Sequence, residues 1–344
     1  MDKKNEVILR LDNISQSFIV NDNVKIVADN ISMDVYDNEF LVVLGPGHCG
    51  KTVLMNIIAG LEKPVGGKLY LDGEEIHGSD SRIGMVFQSL NLMPWRTVMG
   101  NVEFGLEIAG VRKGERRKIA QKYIDLVGLH GFEHSYPHQL SGGMKQRVGI
   151  ARAYTNNPQI LLMDEPFGQL DAQTRYAMQE EVLRIWQQEK RTIIFVTNNI
   201  EEAVFLADRI VLLSNCPAKV KQVYDLSGLS RPRNTTDPEF LRIREDISGN
   251  TDLAFINGAP AKWAMEEGTL GKPATSGYAA IIGGLTAVCY INCVSNAFLQ
   301  KYNVSTIEEI FEQKLPLRIG CSAKGSMDAE GAYLLLEYFG VTED

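Results

Sequence analysis

Several short runs in this chain carry side chains suited to polyanion chemistry. Gly45, Gly50, Lys51 and Thr52 fit the pattern G-x-x-x-x-G-K-[ST]. In such a loop, glycines let backbone N–H groups turn inward around phosphate oxygens, the lysine reaches the outer phosphates and the threonine hydroxyl serves Mg2+. A second anion-binding pattern is Ser141-Gly142-Gly143, which opens an apolar helical stretch and offers free N–H groups, a small hydroxyl and the positive end of a helix dipole. Taken alone it also reads as an ordinary helix cap. A third is Asp164-Glu165 at the end of an apolar run: one carboxylate there holds Mg2+ through water, and its neighbour orients or deprotonates an attacking water. Together they describe a site for a nucleoside triphosphate with Mg2+.

The elements that must hold these groups follow from the apolar spacing. Phe40–Leu44 reads as a buried strand entering the phosphate loop, and Leu54, Ile57, Ile58 and Leu61 mark one face of the helix leaving it. Val7–Leu11 alternates like a strand, Val24–Val35 reads as a pair of short strands, and Pro64–Gly73 as a hairpin. Ile83–Phe87, Ile160–Met163 and Thr192–Val196 are further buried strands, whereas 102–127 and 148–154 are helical. Leu92, Met93, Pro94 and Trp95 put apolar groups on a proline-containing loop, where cover by a partner explains them better than solvent does.

Composition excludes other classes. The 344 residues suffice for two domains, and a hydrophobic fraction of 44% is that of an ordinary globular protein. A net charge of −8 and a pI near 5.3 argue against nucleic-acid binding. The basic run Arg112–Lys118 reads as a solvated helix face. Five cysteines, Cys49, Cys216, Cys289, Cys293 and Cys321, form no disulfide framework, and Cys289 with Cys293 reads as core rather than metal ligation. Met1–Asp12 has no signal-peptide core, so the cytoplasm is the expected compartment.

In this order, the loop, the Ser-Gly-Gly turn and the Asp-Glu pair resemble the ATP-binding subunits of ABC transporters over about Val7–Ser248. The resemblance implies an α/β P-loop ATPase: a RecA-like core, an antiparallel β subdomain and a helical subdomain. It implies that Gly45, Pro46, Gly47, His48, Cys49, Gly50, Lys51, Thr52 and Val53 surround ATP, that Phe18 stacks on the adenine and that Gln88 joins Thr52 and Asp164 at Mg2+. It further implies that Ser141, Gly142, Gly143 and Gln146 of the signature, with Asp171, act on the ATP held by a second subunit, in a homodimer or a heterodimer. Glu165, Gln88 and the residue at 198 form the catalytic set. The physical reason for pairing is that one phosphate loop leaves the outer phosphate half exposed, and a second anion-binding helix end covers it from another subunit. Transmembrane permease subunits that receive the Trp95 loop, and a separate solute-binding protein, complete the expected assembly. It would sit peripherally on the inner face of the cell membrane. The run Leu92–Val98 and the tail Arg231–Phe240 resemble the importers of nitrate, sulfonates and taurine.

Two positions depart from the family. His48 stands where glycine is usual and is expected to stiffen or tilt the loop. Asn198 stands where a histidine contacts the terminal phosphate; an amide still donates a hydrogen bond but carries no charge, and losing one such contact costs about 100-fold in rate. A slow ATPase is therefore expected, the rival being a regulatory subunit that binds ATP with little hydrolysis. A soluble ABC protein acting in translation or repair is disfavoured by the single cassette and acidic chain.

At the end of the cassette (1–248), Asp237–Asp246 reads as a helix and Ser248–Thr251 as a linker. Residues 249–344 read as partial βαβ material, with strands at Leu253–Ile256 and Leu317–Gly320 and helices at Ala261–Glu267, Ile307–Gln313 and Ser326–Phe339. Val304–Ile310 and Leu317–Ser326 resemble a fragment of a TAXI-type solute-binding protein, either a sensor domain or a remnant. Pro273–Gln300 carries no charged residue and reads as buried core in preference to a membrane span.

Overall fold

A computed structural model describes residues 6–20, 23–168 and 170–250, and the backbone of 278–283 and 290–295. The chain divides into two units, Met1–Ala254 and Phe255–Asp344.

In the first unit, β1 (Val7–Val20) and β2 (Asn23–Tyr36) form a long antiparallel hairpin that joins β4 (Gly66–Leu71) and β5 (Glu74–Ile76) in a sheet of order β2-β1-β4-β5. The expected pair of short strands at Val24–Val35 is thus one strand. Register shifts absorb its irregular alternation, so an unbroken ladder is compatible with a broken pattern. Asp72 and Gly73, both at positive φ, make the tight turn between β4 and β5.

The site rests on the second sheet. It comprises β3 (Phe40–Leu44), β6 (Ile83–Val86), β7 (Ile160–Asp164), β8 (Thr192–Thr197), β9 (Arg209–Leu213) and β10 (Val220–Asp225), in the order β10-β9-β3-β8-β7-β6. The pairs among β9, β3, β8, β7 and β6 are parallel, and β10 is antiparallel. All five residues of β3 are buried because both faces are covered. Phe40, Val42 and Leu44 enter one apolar cluster, Leu41 and Val43 the other. The first cluster is roofed by α2 (Val98–Val102), α4 (Lys113–Leu126), α5 (Gly142–Thr155), α6 (Ala172–Glu189), α7 (Ile200–Leu206) and α8 (Pro238–Asn250). The second holds α1 (Lys51–Ile58) and the inner face of the antiparallel sheet. The short α3 (Phe104–Ile108) completes the helical region.

Two local expectations change. Ser248–Asn250 belongs to α8 rather than to a linker: Ile247 is fully buried, and the Asn250 amide donates to the Tyr224 hydroxyl at 3.1 Å, which anchors the last turn. The basic run on α4 is not wholly solvated either, since Arg116 reaches the buried Glu103 at 3.0 Å. In the second unit, β11 (Tyr278–Gly283) and β12 (Tyr290–Ser295) pair antiparallel within the uncharged 273–300 segment. No helix among the described residues is long and apolar enough to cross a membrane. The other elements expected in 249–344, and Cys289 and Cys321, lie outside the described residues.

Candidate nucleotide site

Parallel pairing brings the carboxyl ends of β3, β8, β7 and β6 side by side, the edge at which open α/β sheets bind ligands. Backbone bonds lace these ends together: Gly45 N donates to Thr197 O at 3.4 Å and Glu165 N to Val196 O at 3.0 Å.

The phosphate loop leaves β3 with no room for side chains at its two defining glycines. A Cβ on Gly45 would lie 2.9 Å from Cys49 Sγ, and one on Gly50, whose φ is +113°, 2.8 Å from Val27 Cγ1. Cys49 is itself fully buried, and burial pushes its thiol up, so its side chain packs beneath the loop and only its backbone faces a ligand. His48 is exposed at φ +61°, in the left-handed region that glycine adopts readily. Gly47 has open space around it, and Val53 is half-buried in the first turn of α1.

Lys51 is the electrostatic centre. Its side chain is 4% exposed, and its ammonium donates to Gly45 O at 2.9 Å and Pro46 O at 2.7 Å and pairs with Glu165 Oε1 at 3.3 Å. A buried cation gathered by neutral carbonyls and one carboxylate is poised for exchange, because phosphate oxygens are stronger partners than carbonyls. Beside it, the exposed Thr52 hydroxyl donates to Asp164 Oδ1 at 3.4 Å. Asp164 is 2% exposed, and burial raises its carboxyl pKa against the opposing hydrogen bond from Thr52. Glu165 adopts a positive φ, an uncommon conformation for a non-glycine residue, and also accepts from Gln88 Nε2 at 3.4 Å. The expected set Lys51, Thr52, Gln88, Asp164 and Glu165 is therefore joined by direct contacts. Asn198 follows β8 and is exposed at the same edge. Phe18, 37% exposed, pairs with Lys25 across the hairpin, two residues from the Val27 that abuts Gly50.

The signature residues form a second, separate feature. Ser141 caps α5, its hydroxyl accepting from Met144 N at 3.3 Å, and Ser141 and Gly142 are exposed. A Cβ on Gly143 would approach Thr174 Cγ2 to 3.1 Å, so the tip lies against α6. Asp171 caps α6 by accepting from Thr174 N at 3.0 Å, and these backbone bonds hold its carboxyl below the usual range. Gln146 does not stand on the exposed tip: one turn into α5 it is 3% exposed, on the side of the helix that faces the core. No hydrogen bond or ion pair joins Ser141–Gly143 to Gly45–Thr52 among the described residues. Sequence reasoning missed Asn101, Gln179, Glu202 and Arg233, all buried and polar, because only burial distinguishes them from surface residues of the same type.

The ABC transporter family matches over residues 28–168, a span that includes the phosphate loop, Gln88, the signature and Asp164-Glu165. An uncharacterized ABC transporter ATP-binding protein of Methanocaldococcus jannaschii is 53% identical over 242 residues, 70% of this chain and 90% of that protein. This chain belongs to the ABC transporter family. It is an ABC ATPase subunit, with the cassette fold. A taurine import ATP-binding protein of Escherichia coli O157:H7 is 46% identical over 230 residues, covering 65% of this chain and 90% of its own length. Two solved structures align with TM-scores of 0.57 and 0.56 at 32% and 31% identity, each covering 63% of this chain and 98% of the other. One is a dimeric bacterial ABC transporter cassette, the other a dimeric post-hydrolysis cassette bound to ADP and Pi.

Proposed function

We propose that this ATPase powers an importer of small anionic solutes of the taurine, sulfonate or nitrate kind. It would act as one of two cassettes on the inner face of the membrane, with permease subunits and a separate solute-binding protein. The observation that carries the reading is the junction of Lys51, Thr52, Asp164, Glu165 and Gln88 at one sheet edge. The exposed Ser141–Gly142 tip, remote in hydrogen bonding from that edge, is free to serve a second subunit's ATP, and the two dimeric cassettes support that pairing. The taurine relatives and the exposed Trp95, at 74%, support importer and permease.

In this reading Lys51 releases the loop carbonyls and takes the outer phosphate oxygens. The loop N–H groups hold the rest, and Phe18 backs the base. Thr52 and Asp164 offer hard oxygen donors and Gln88 an amide oxygen, a set that fits Mg2+; the ion, when bound, neutralises charge developing on the phosphates. Glu165 orients a water and takes its proton as the water oxygen bonds to the terminal phosphorus and the bond to the bridging oxygen breaks. Asn198 donates to the terminal phosphate without adding charge, which makes hydrolysis slow. The segment 249–344, in which Val304–Ile310 and Leu317–Ser326 resemble a solute-binding protein, is read either as a sensor that regulates the cassette or as a remnant.

Phosphate release and nucleotide titration test this. Lys51→Ala is expected to abolish tight ATP binding. Glu165→Gln should keep binding while lowering turnover by about 100-fold or more. Equal turnover in Glu165→Gln and wild type refutes the assignment of the base.

A further inference from the structure

The side chain of Glu202, in the first turn of α7, is buried where a carboxylate is costly, with the residue 5% exposed. The turn that carries Asn198 runs directly into this helix. Gln179 Nε2 of α6 donates to Glu202 Oε1 at 3.0 Å, which pins the first turn of α7 to α6. The Asn199 side chain caps the same turn, its Oδ1 accepting from the backbone N–H of Glu202 at 3.1 Å, and Asn199 N donates to the Thr197 hydroxyl at 3.0 Å. Residues 197 and 199 are thereby tied to the helix end that the Glu202–Gln179 bond anchors, and Asn198 is the residue between them. The backbone of the same strand end holds the rest of the site, with Thr197 O bound to Gly45 N and Val196 O to Glu165 N.

From this geometry we propose that Glu202 is a positioning residue for ATP hydrolysis, fixing the 197–199 turn so that the Asn198 amide meets the terminal phosphate in line. The physical reason lies in the amide. A charged imidazolium attracts phosphate over several ångströms in any orientation, whereas a neutral N–H donor loses its hydrogen bond steeply as the angle falls toward about 120°. A chain that places asparagine at this position therefore depends on the rigidity of the turn. The environment shows how closely this network abuts the chemistry. Burial raises the carboxyl pKa above its ordinary value, the nearby Thr197 hydroxyl, the Gln179 amide and the charge of Arg175 oppose the shift, and the charge of Glu165 reinforces it. Arg175 in turn donates to Leu170 O at 2.8 Å, just before Asp171. The carboxylate thus ties α7 to α6 next to the end of β8.

This inference rests on the nucleotide site proposed above, and Lys51→Ala separates the two: if that variant binds and hydrolyses ATP like wild type, the site reading fails whatever Glu202 does. With the site confirmed, the full chain is compared as wild type, Glu202→Ala, Glu202→Gln, Asn198→Ala and the Asn198→Ala, Glu202→Ala double variant. Steady-state phosphate release and fluorescent-nucleotide titration supply the readouts. Glu202→Ala is expected to lower kcat about tenfold, with nucleotide affinity within twofold of wild type. Glu202→Gln, which keeps an acceptor for Gln179, should restore most of the rate. The double variant should be no slower than Asn198→Ala alone, because Glu202 acts through Asn198. Should Glu202→Ala fail to fold, Gln179→Met removes the carboxylate's donor from the other side and is expected to show the same loss in kcat. Multiplying losses in the double variant, or an unchanged kcat in whichever of Glu202→Ala and Gln179→Met folds, overturns the proposal.

Discussion

Replacing Asn101 with leucine tests whether the loop that presents Trp95 is held by one buried amide. Asn101 is fully buried; its Oδ1 accepts from Met93 N at 2.8 Å, and its Nδ2 donates to Met93 O at 3.2 Å, Arg96 O at 3.0 Å and Thr97 O at 3.0 Å. Leucine has the same branched four-atom side chain with bulkier methyl ends, so the change leaves no cavity and removes the polar contacts. After the change Met93 O still accepts from Arg96 N and Thr97 O from Asn101 N, leaving Met93 N–H and Arg96 C=O without protein partners. At about 1–3 kcal/mol for each unsatisfied group, reduced where the loop opens to water, the cost comes to about 2–4 kcal/mol. That is a large share of a typical folding free energy of about 5–15 kcal/mol. Urea unfolding of Asn101→Leu against wild type measures the cost, and limited proteolysis between Leu92 and Thr97 reports whether the loop has opened. Coupling to a permease should fall more than the ATPase activity of the free subunit, since Lys51 and Glu165 are not involved. A change below about 1 kcal/mol with unaltered proteolysis would refute the reasoning, because the loop would then be held by its other contacts.

Glu202→Gln should be more stable than wild type at pH 7. The folded-state pKa is raised by burial among Gln179, Thr197, Arg175 and Glu165, so ionisation costs stability as pH rises, and the gap between the proteins should close as pH falls toward 4.5 in urea melts. Arg233, 7% exposed, donates to the carbonyls of Val204, Phe205, Ala207 and Leu226 and closes the C-terminal end of α7; Arg233→Met is expected to cost about 2–4 kcal/mol by calorimetry. Gly50→Ala must place a Cβ 2.8 Å from Val27 Cγ1 at a φ of +113°, so nucleotide titration should show at least a tenfold loss of affinity while far-UV dichroism stays unchanged.

Much of the site was legible because its parts are local. Gly45 to Thr52 is one turn of chain, and its strand and helix announce themselves by apolar spacing. Asp164-Glu165 likewise follows directly from a buried strand. The long β2 was misread as two strands because register shifts disturb the alternation while pairing continues. Gln146 lies close to the signature tip in sequence, yet helical rotation turns it toward the core. Arg116 reads as one of a run of surface cations, and only the fold shows that Glu103 is buried within its reach.

The sequence by itself determined the chemistry, because phosphate binding needs glycine, lysine, threonine and paired carboxylates at fixed short spacings that few other demands on a chain produce. The tertiary structure alone decided which distant groups meet. Parallel pairing of β3, β8 and β7 sets Lys51 beside Glu165 across more than a hundred residues, and helix packing joins Glu202 to Gln179, both unremarkable in the sequence, on the helix that follows the turn bearing Asn198. Contacts of that separation depend on sheet order and helix packing, properties of the whole core that no short run of residues encodes.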